Sequence, residues 1–269
     1  MLVHANDLPV RSGQVIVSEA GSPVSFLMDL MAEEYEPYGH AGIVMVEADG
    51  TFVYEAFSFL NLRIWEPPTR RLRGKIRRVP LMEFLQRGTV AALYQHDVHS
   101  LDAIAAFATK AYEARLAFDG LFDYRTDDSV YCSEFVAAAL VAAGLAETPP
   151  TPRTNNPSLN RTMDWLDLDT PGFILAADLL ANASPVAVFS KHYTLTQVEA
   201  HFAFEREMHR RFSEDQSLGN IFRWTHSGPR YRSHLAELRD SLLAEADAAD
   251  NVEDWVVTEM ATAISGSAD

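Results

Sequence analysis

The chain has 269 residues, 48% of them apolar, enough for one substantial core or a core with an appended subdomain, and this excludes a disordered chain. A formal net charge of −16 disfavours nonspecific binding to nucleic acid or to anionic membranes. A single cysteine excludes an internal disulfide framework and a thiolate-rich zinc site, and it fits a reducing compartment.

The first residues, "MLVHANDLPVRSGQVIVSEA", carry no basic region followed by an apolar stretch, and no run approaches the length of a membrane span. The expectation is a cytoplasmic protein with no integral membrane segment and no nucleic-acid partner. "SGQVIVSEA" has the period of a short strand. "SPVSFLMDLMAEEY" reads as a helix, with Ser22 as cap, Pro23 in the first helical position, and Phe26, Leu27, Leu30 and Met31 on one face. "HAGIVMVEADGTFVYEAF" is two apolar runs around Asp49-Gly50, a dipeptide suited to a tight hairpin turn because both residues tolerate positive φ. More extended chain is expected through "LRIWEPP" and "GKIRRVPL". An alanine-rich helix follows from about Ser100, its cap, to Arg115, and a second runs from about Cys132 to Ala143 and stops at Gly144.

Pro and polar residues then take over in "ETPPTPRTNNPSLNRT", read as a loop or boundary. "TPGFILAADLLANASPVAVF" looks like a return to the first core that ends in a strand. From about Thr194 the apolar spacing is helical: Leu195, Val198 and Phe202, then Leu235, Leu238 and Leu242, then Val252, Trp255 and Val256. The expected organisation is therefore a domain over 1–190 and a helical extension over 191–269. Charge is uneven along it. His234 to Asp269 holds nine acidic residues against one arginine, whereas Thr69 to Arg78 packs six cations into ten positions. The basic run reads as a solvated face, an anion-binding lip, or a surface that meets the acidic tail.

Cys132 is the chemically informative residue. Free cysteine is commonly an inert core residue. Here Asp127, Asp128 and Ser129 are helix-capping types, so Cys132 falls in a first helical turn, where unpaired N–H groups and the helix dipole favour a thiolate. A reactive thiol needs a base. His96 and His99 form an H-x-x-H without a third ligand and read as surface residues; His201 and His209, eight apart on a helix, suggest no site. His192, His226 and His234 have no acidic partner at a telling spacing. His40 follows the turn-like "EPYG" and opens a strand, where a scaffold can hold its ring rigidly. No metal and no cofactor is expected.

"YGHAGIVMVEADGTFVYEAF", followed about 75 residues later by "FDGLFDYRTDDSVYCSEFV", resembles the YiiX/YaeF-type permuted papain-like amidases, a branch of the NlpC-type cysteine peptidase superfamily. The matching features are H-x-G-I-V at His40, the pair Glu55-Ala56, and Y-C-S-E from Tyr131 to Glu134; the similarity covers roughly Ser12 to Phe189. The resemblance implies an α+β, circularly permuted papain-like domain, with an antiparallel sheet or barrel packed on the helix that bears the cysteine. It implies Cys132 as nucleophile, His40 as general base and then acid, and Glu55 as the group that orients His40.

Glu55 is the hardest of the three to place. A turn centred on Asp49-Gly50 pairs Ala48 with Thr51, sets Glu55 opposite Val44, and leaves it roughly 13 Å from His40 along the strands. A bulge, a longer loop or strong twist would have to close that gap; the alternative is an ordinary strand residue facing water. Tyr131 and Tyr38 are candidates for lining a substrate cleft. Tyr131 and Phe135 otherwise read as wall or core, Ser133 and Glu134 as first-turn residues, and Asp119 as a turn or structural hydrogen-bonding residue.

The function expected from this pattern is hydrolysis of an amide or isopeptide-like bond through an acyl-enzyme on Cys132, the substrate being a small amide, peptide or acyl compound. Two alternatives remain: a lipid or thioester acyl hydrolase or acyltransferase using the same dyad, and a non-catalytic binding module. The C-terminal helices are a candidate surface for a homodimer or a protein partner.

Overall fold

The computed structural model describes residues 7–19, 26, 29–59, 73–124, 128–165, 168–216, 218–225 and 228–265. β1 (Val15–Glu19) is buried at every position and β2 (His40–Glu47) from Ala41 to Met45. Burial without alternation means that both faces of these strands are covered. They join β3 (Gly50–Phe59), β4 (Arg73–Pro80), β5 (Val90–Gln95) and the short β6 (Ala117–Phe118) and β7 (Ser129–Val130). Beyond the separate pair β8 (Thr151–Pro152) and β9 (Gly172–Phe173), β10 (Ser184–Ser190) returns to the first core as expected. The resulting eight-stranded sheet has the order β10-β5-β1-β2-β3-β4-β6-β7, antiparallel throughout except between β6 and β7.

Helices cover the two faces. α1 (Leu81–Arg87) sets Leu81, Phe84 and Leu85 against Ile16, Val44, Val53 and Val79. α2 (Leu101–Glu113) and α3 (Cys132–Ala142) lie on the opposite face, where Ile104, Phe135, Val136 and Leu140 meet Ala41, Ile43, Tyr54 and Ala56. Burying each of the large side chains contributes about 1.5–3 kcal/mol. This packing fixes the start of α3 against the beginning of β2. Ser100 does occupy the N-cap position of α2, but its hydroxyl donates to the Asp97 carbonyl instead of capping. Gly144, at φ +81°, follows the end of α3 as its sequence position implied.

The segment read as a loop around residues 146–162 contains structure. Asn156 accepts from the Ser158 and Leu159 N–H groups and starts α4 (Pro157–Trp165). An Asx cap followed by proline at the first helical position was the available signal, masked by the surrounding prolines. α5 (Leu195–Glu214) opens with a reciprocal cap between Thr194 and Gln197. It packs with α6 (Ser233–Glu245) and α7 (Val252–Ser265) around a core of Phe204, Met208, Leu235, Leu242, Val256 and Met260. A hairpin that the helical reading omitted, β11 (Phe222–Thr225) with β12 (Gly228–Tyr231), precedes α6. Phe26, Leu30 and Leu159 enter the same core, so the late helices share their interior with earlier chain. Of the helix expected over residues 22–35, Phe26 and Asp29 are helical, but residues 30–35 are not. The Met31 carbonyl accepts the Thr154 N–H, the Glu33 N–H donates to the Pro152 carbonyl and Ala32 bridges Arg153, which draws the backbone out of the helix. Residues 22–25, 27 and 28 lie outside the described residues, and Phe26, Leu30 and Met31 are buried. Among the described residues no helix is long and apolar enough to cross a membrane.

Candidate active site

The β2–β3 hairpin is built differently from the sequence expectation. Glu47 pairs with Gly50, Val44 with Val53 and Ile43 with Tyr54, so the two turn residues are Ala48 and Asp49. Gly50 takes φ +145°, a conformation that L side chains rarely adopt. Continued outward, this register sets Glu55 beside Gly42 instead of Val44, and His40 becomes its diagonal neighbour. The two registers differ by a slip of two residues, which leaves every side chain on its own face; apolar patterning therefore does not distinguish them. Arg78, reaching over from β4, bonds Glu47 and both oxygens of Asp49 at 2.8 Å and fixes the turn in the observed position. No bulge is needed to close the gap.

Gly42 keeps the space between the two functional groups open. A Cβ there would lie 2.5 Å from Val53 Cγ1 and 3.5 Å from Glu55 Cβ. In its absence the Glu55 carboxylate reaches His40, with Nε2 and Oε2 2.5 Å apart. His40 is stacked on Phe84, ring centroids 5.7 Å apart.

Glu55 is fully buried, and two arginines share its other oxygen: Arg77 Nε donates to Oε1 at 2.8 Å and Arg87 Nη2 at 2.7 Å. Burial opposes ionisation of Glu55, yet His40 and Arg87 outweigh it and bring its pKa from 4.5 down to about 2. Arg77 sits directly opposite Glu55 in the β3–β4 ladder and lies on the basic run read as a solvated face. The run is in part an internal counter-charge; Arg70, Arg71 and Leu72 lie outside the described residues. A period-two reading of β4 against β3 was the signal for Arg77, whereas nothing local marks Arg87 on α1.

Cys132 is the first residue of α3 and partly exposed. The N-cap residue is Tyr131, whose N–H donates to the Glu134 carboxylate at 3.2 Å. Ser129 instead lies in β7, Asp128 is an exposed bend residue, and Asp127 is outside the described residues. The expected first-turn position of the thiol holds, while the expected capping residues do not. The physical reason is that Glu134, four residues into the motif, reaches back to cap the helix, so no cap is required from upstream.

Cys132 and His40 meet across the start of β2. Burial would raise the thiol pKa, but the His40 charge and its hydrogen bond, with further bonds from Ser133 and the Ala41 N–H, bring it below its ordinary value. Burial would lower that of His40, but Cys132 first and Glu55 second push it up to about 10. Both shifts, and the position of the thiol at a helix N-terminus, act in the direction of a charged thiolate–imidazolium pair.

The two proposed lining tyrosines are both buried. The Tyr131 hydroxyl accepts the Ile174 N–H at 2.8 Å, and Tyr38 packs edge-on to Phe202 of α5 while its hydroxyl bonds with that of Tyr94. Their hydroxyls are thus engaged within the protein. Asp119 is a turn residue, accepting from the Leu121 and Asp123 N–H groups. His99 is exposed as expected, but His96 is buried, with its ring hydrogen-bonded to the backbone of Leu179. His201 is buried too, beside Glu19 and Glu205, which the spacing of His201 and His209 did not suggest. There burial, opposed by His201 and reinforced by Glu19, pushes Glu205 up to about 7.

The mixed α+β architecture with this eight-stranded sheet is a YiiX-type fold. The crystal structure of metalloprotein YiiX from Escherichia coli O157:H7 matches 66% of this chain and 96% of its own length, with a TM-score of 0.51 and 16% sequence identity. No protein-family profile matches the sequence. No curated protein matches it either.

Proposed function

We propose that this chain is a thiol-dependent hydrolase in which Cys132, His40 and Glu55 form a permuted papain-like triad. The single observation that carries the reading is the unbroken line of contacts from Cys132 to His40 to a buried Glu55 held by two arginines. The Cys132 thiolate attacks the acyl carbon of an amide or isopeptide-like bond. The C–N bond breaks as the His40 imidazolium gives its proton to the departing amine. His40, now neutral, takes a proton from water, which adds to the thioester; the C–S bond breaks and the thiolate–imidazolium pair returns. Glu55 keeps the ring in one orientation and favours its charged form. Arg77 and Arg87 are positioning residues that keep Glu55 ionised and fixed.

The test is a mass-spectrometric search for an adduct on Cys132 after exposure of the full chain to cell extract. The proposal expects an acyl group whose mass identifies the substrate, and its loss when hydroxylamine cleaves the thioester. Absence of any adduct in acid-quenched wild type whose Cys132 is still alkylated by iodoacetamide in the native state contradicts the reading.

A further inference from the structure

A second imidazole–carboxylate cluster lies where β1 meets α5. Glu19 closes β1, and His201 and Glu205 stand one turn apart on α5. Their exposures are 2%, 1% and 1%, and their potential ligand atoms all lie within 4.8 Å of one another. His201 Nε2 is 3.9 Å from Glu19 Oε1 and 3.7 Å from Glu205 Oε2, both too long for hydrogen bonds. Neither ring nitrogen of His201 has a hydrogen-bond partner among the described residues. An imidazole buried to this degree is normally satisfied by a donor, an acceptor or a ligand.

Buried carboxylates crowd around this imidazole. Asp29 adds a third buried carboxylate to the neighbourhood, while Arg239, the cation whose charge reaches His201, bonds Asp240 at 2.8 Å. The Tyr35 and Tyr231 hydroxyls donate to the two oxygens of Glu205 at 3.2 and 2.8 Å. Such outer hydrogen bonds orient a carboxylate and leave each oxygen a lone pair.

We propose that Glu19, His201 and Glu205 hold one divalent transition-metal cation, Mn²⁺ or Zn²⁺, that fastens α5 to the end of β1. One imidazole with two carboxylates is a mixed nitrogen–oxygen donor set of the kind these ions accept. Bonds of about 2.1 Å place ligand atoms about 3.0–3.4 Å apart, so the present separations of 3.7 and 3.9 Å need to close by about half an ångström. The ion gives the buried imidazole the partner it lacks among the described residues. Ser18, the neighbour of Glu19, pairs with His40 across β1 and β2, so the clamp stiffens the strand next to the one that bears His40. It involves no group of the proposed triad.

The test uses the full-length chain carrying Cys132→Ser, which removes the thiol–imidazole pair as a competing metal site. After stripping with EDTA, Mn²⁺ or Zn²⁺ is added and the protein is desalted. The expected result is one equivalent of metal retained by elemental analysis and a Tm raised by about 5 °C or more at saturating ion. Glu19→Gln and His201→Gln should each abolish retention and shift while keeping the far-ultraviolet circular dichroism. No retained ion with either metal overturns the proposal, as does retention unchanged in Glu19→Gln, which puts the ion elsewhere. Should both variants fail to fold, electron paramagnetic resonance of the Mn²⁺ form with ¹⁵N-labelled histidine decides: coupling to one imidazole nitrogen supports the site, and its absence overturns it.

Discussion

The chain buries two imidazole–carboxylate clusters and treats their charge in opposite ways. At His40 the partner Glu55 receives two arginines and a short contact to the ring, and its pKa falls to about 2. At His201 the partner Glu205 receives two tyrosines and a ring too distant to bond, and its pKa rises to about 7. Burial is nearly equal at the two carboxylates, so burial does not set the difference. Fixed cations do. Glu55, the proposed orienting group of His40, lies between two guanidinium groups that keep it charged, whereas Glu205, whose pKa is raised, is favoured by a proton or by the proposed cation.

Breaking the first cluster at the proposed nucleophile has the largest expected effect. Cys132→Ala should lower kcat/KM for the substrate named by the adduct by at least about 10³-fold, and His40→Ala by a similar factor, with unchanged thermal unfolding in the former. Glu55→Gln keeps the shape but loses the charge, and a fall in kcat of at least about 10²-fold is expected from steady-state kinetics. The same carboxylate links the cluster to acid stability. Its pKa is lower in the fold than the ordinary 4.5, so its stabilisation is present above pH 4.5 and is lost as pH falls toward 2. The amount at stake is about 3 kcal/mol, measurable by urea unfolding across that window and absent in Glu55→Gln.

Smaller changes separate the arginines from the register. Arg87→Ala removes one of the two guanidinium donors to Glu55 and should cost about 1.5–3 kcal/mol in urea unfolding. Gly42→Val places a side chain where a Cβ already meets Val53 Cγ1 at 2.5 Å, and a loss of about 1–3 kcal/mol is expected. Because that side chain also separates His40 from Glu55, activity should fall by more than the loss of folded protein explains.

Much of the first cluster was legible in the sequence. Apolar runs gave β1, β2 and β3, and the thiol fell at a helix start; the meeting of His40, Glu55 and Cys132 was implied by the resemblance to the permuted papain-like amidases. The 13 Å gap was an artefact of centring the turn on Asp49-Gly50; the slip is invisible to face patterning and is decided by Arg78, a residue on another strand. Arg87 was illegible for the same reason, since α1 comes to Glu55 only through tertiary packing. The second cluster shows the limit most clearly. His201 and Glu205 are an i, i+4 pair that any helical reading contains, but Glu19 lies on a strand 182 positions earlier, in a segment assigned to a different domain. Only the shared core of the late helices with earlier chain brings them together.

The proposal of an ionised Cys132–His40 pair is tested most directly by the rate of iodoacetamide alkylation against pH, in wild type and in His40→Ala. The account predicts a wild-type midpoint well below the ordinary thiol value of about 8.5, and a midpoint shifted up to that value or above it once the imidazole is gone. A wild-type midpoint at about 8.5 or higher, unchanged in His40→Ala, or a thiol that reacts only in denaturant, contradicts it.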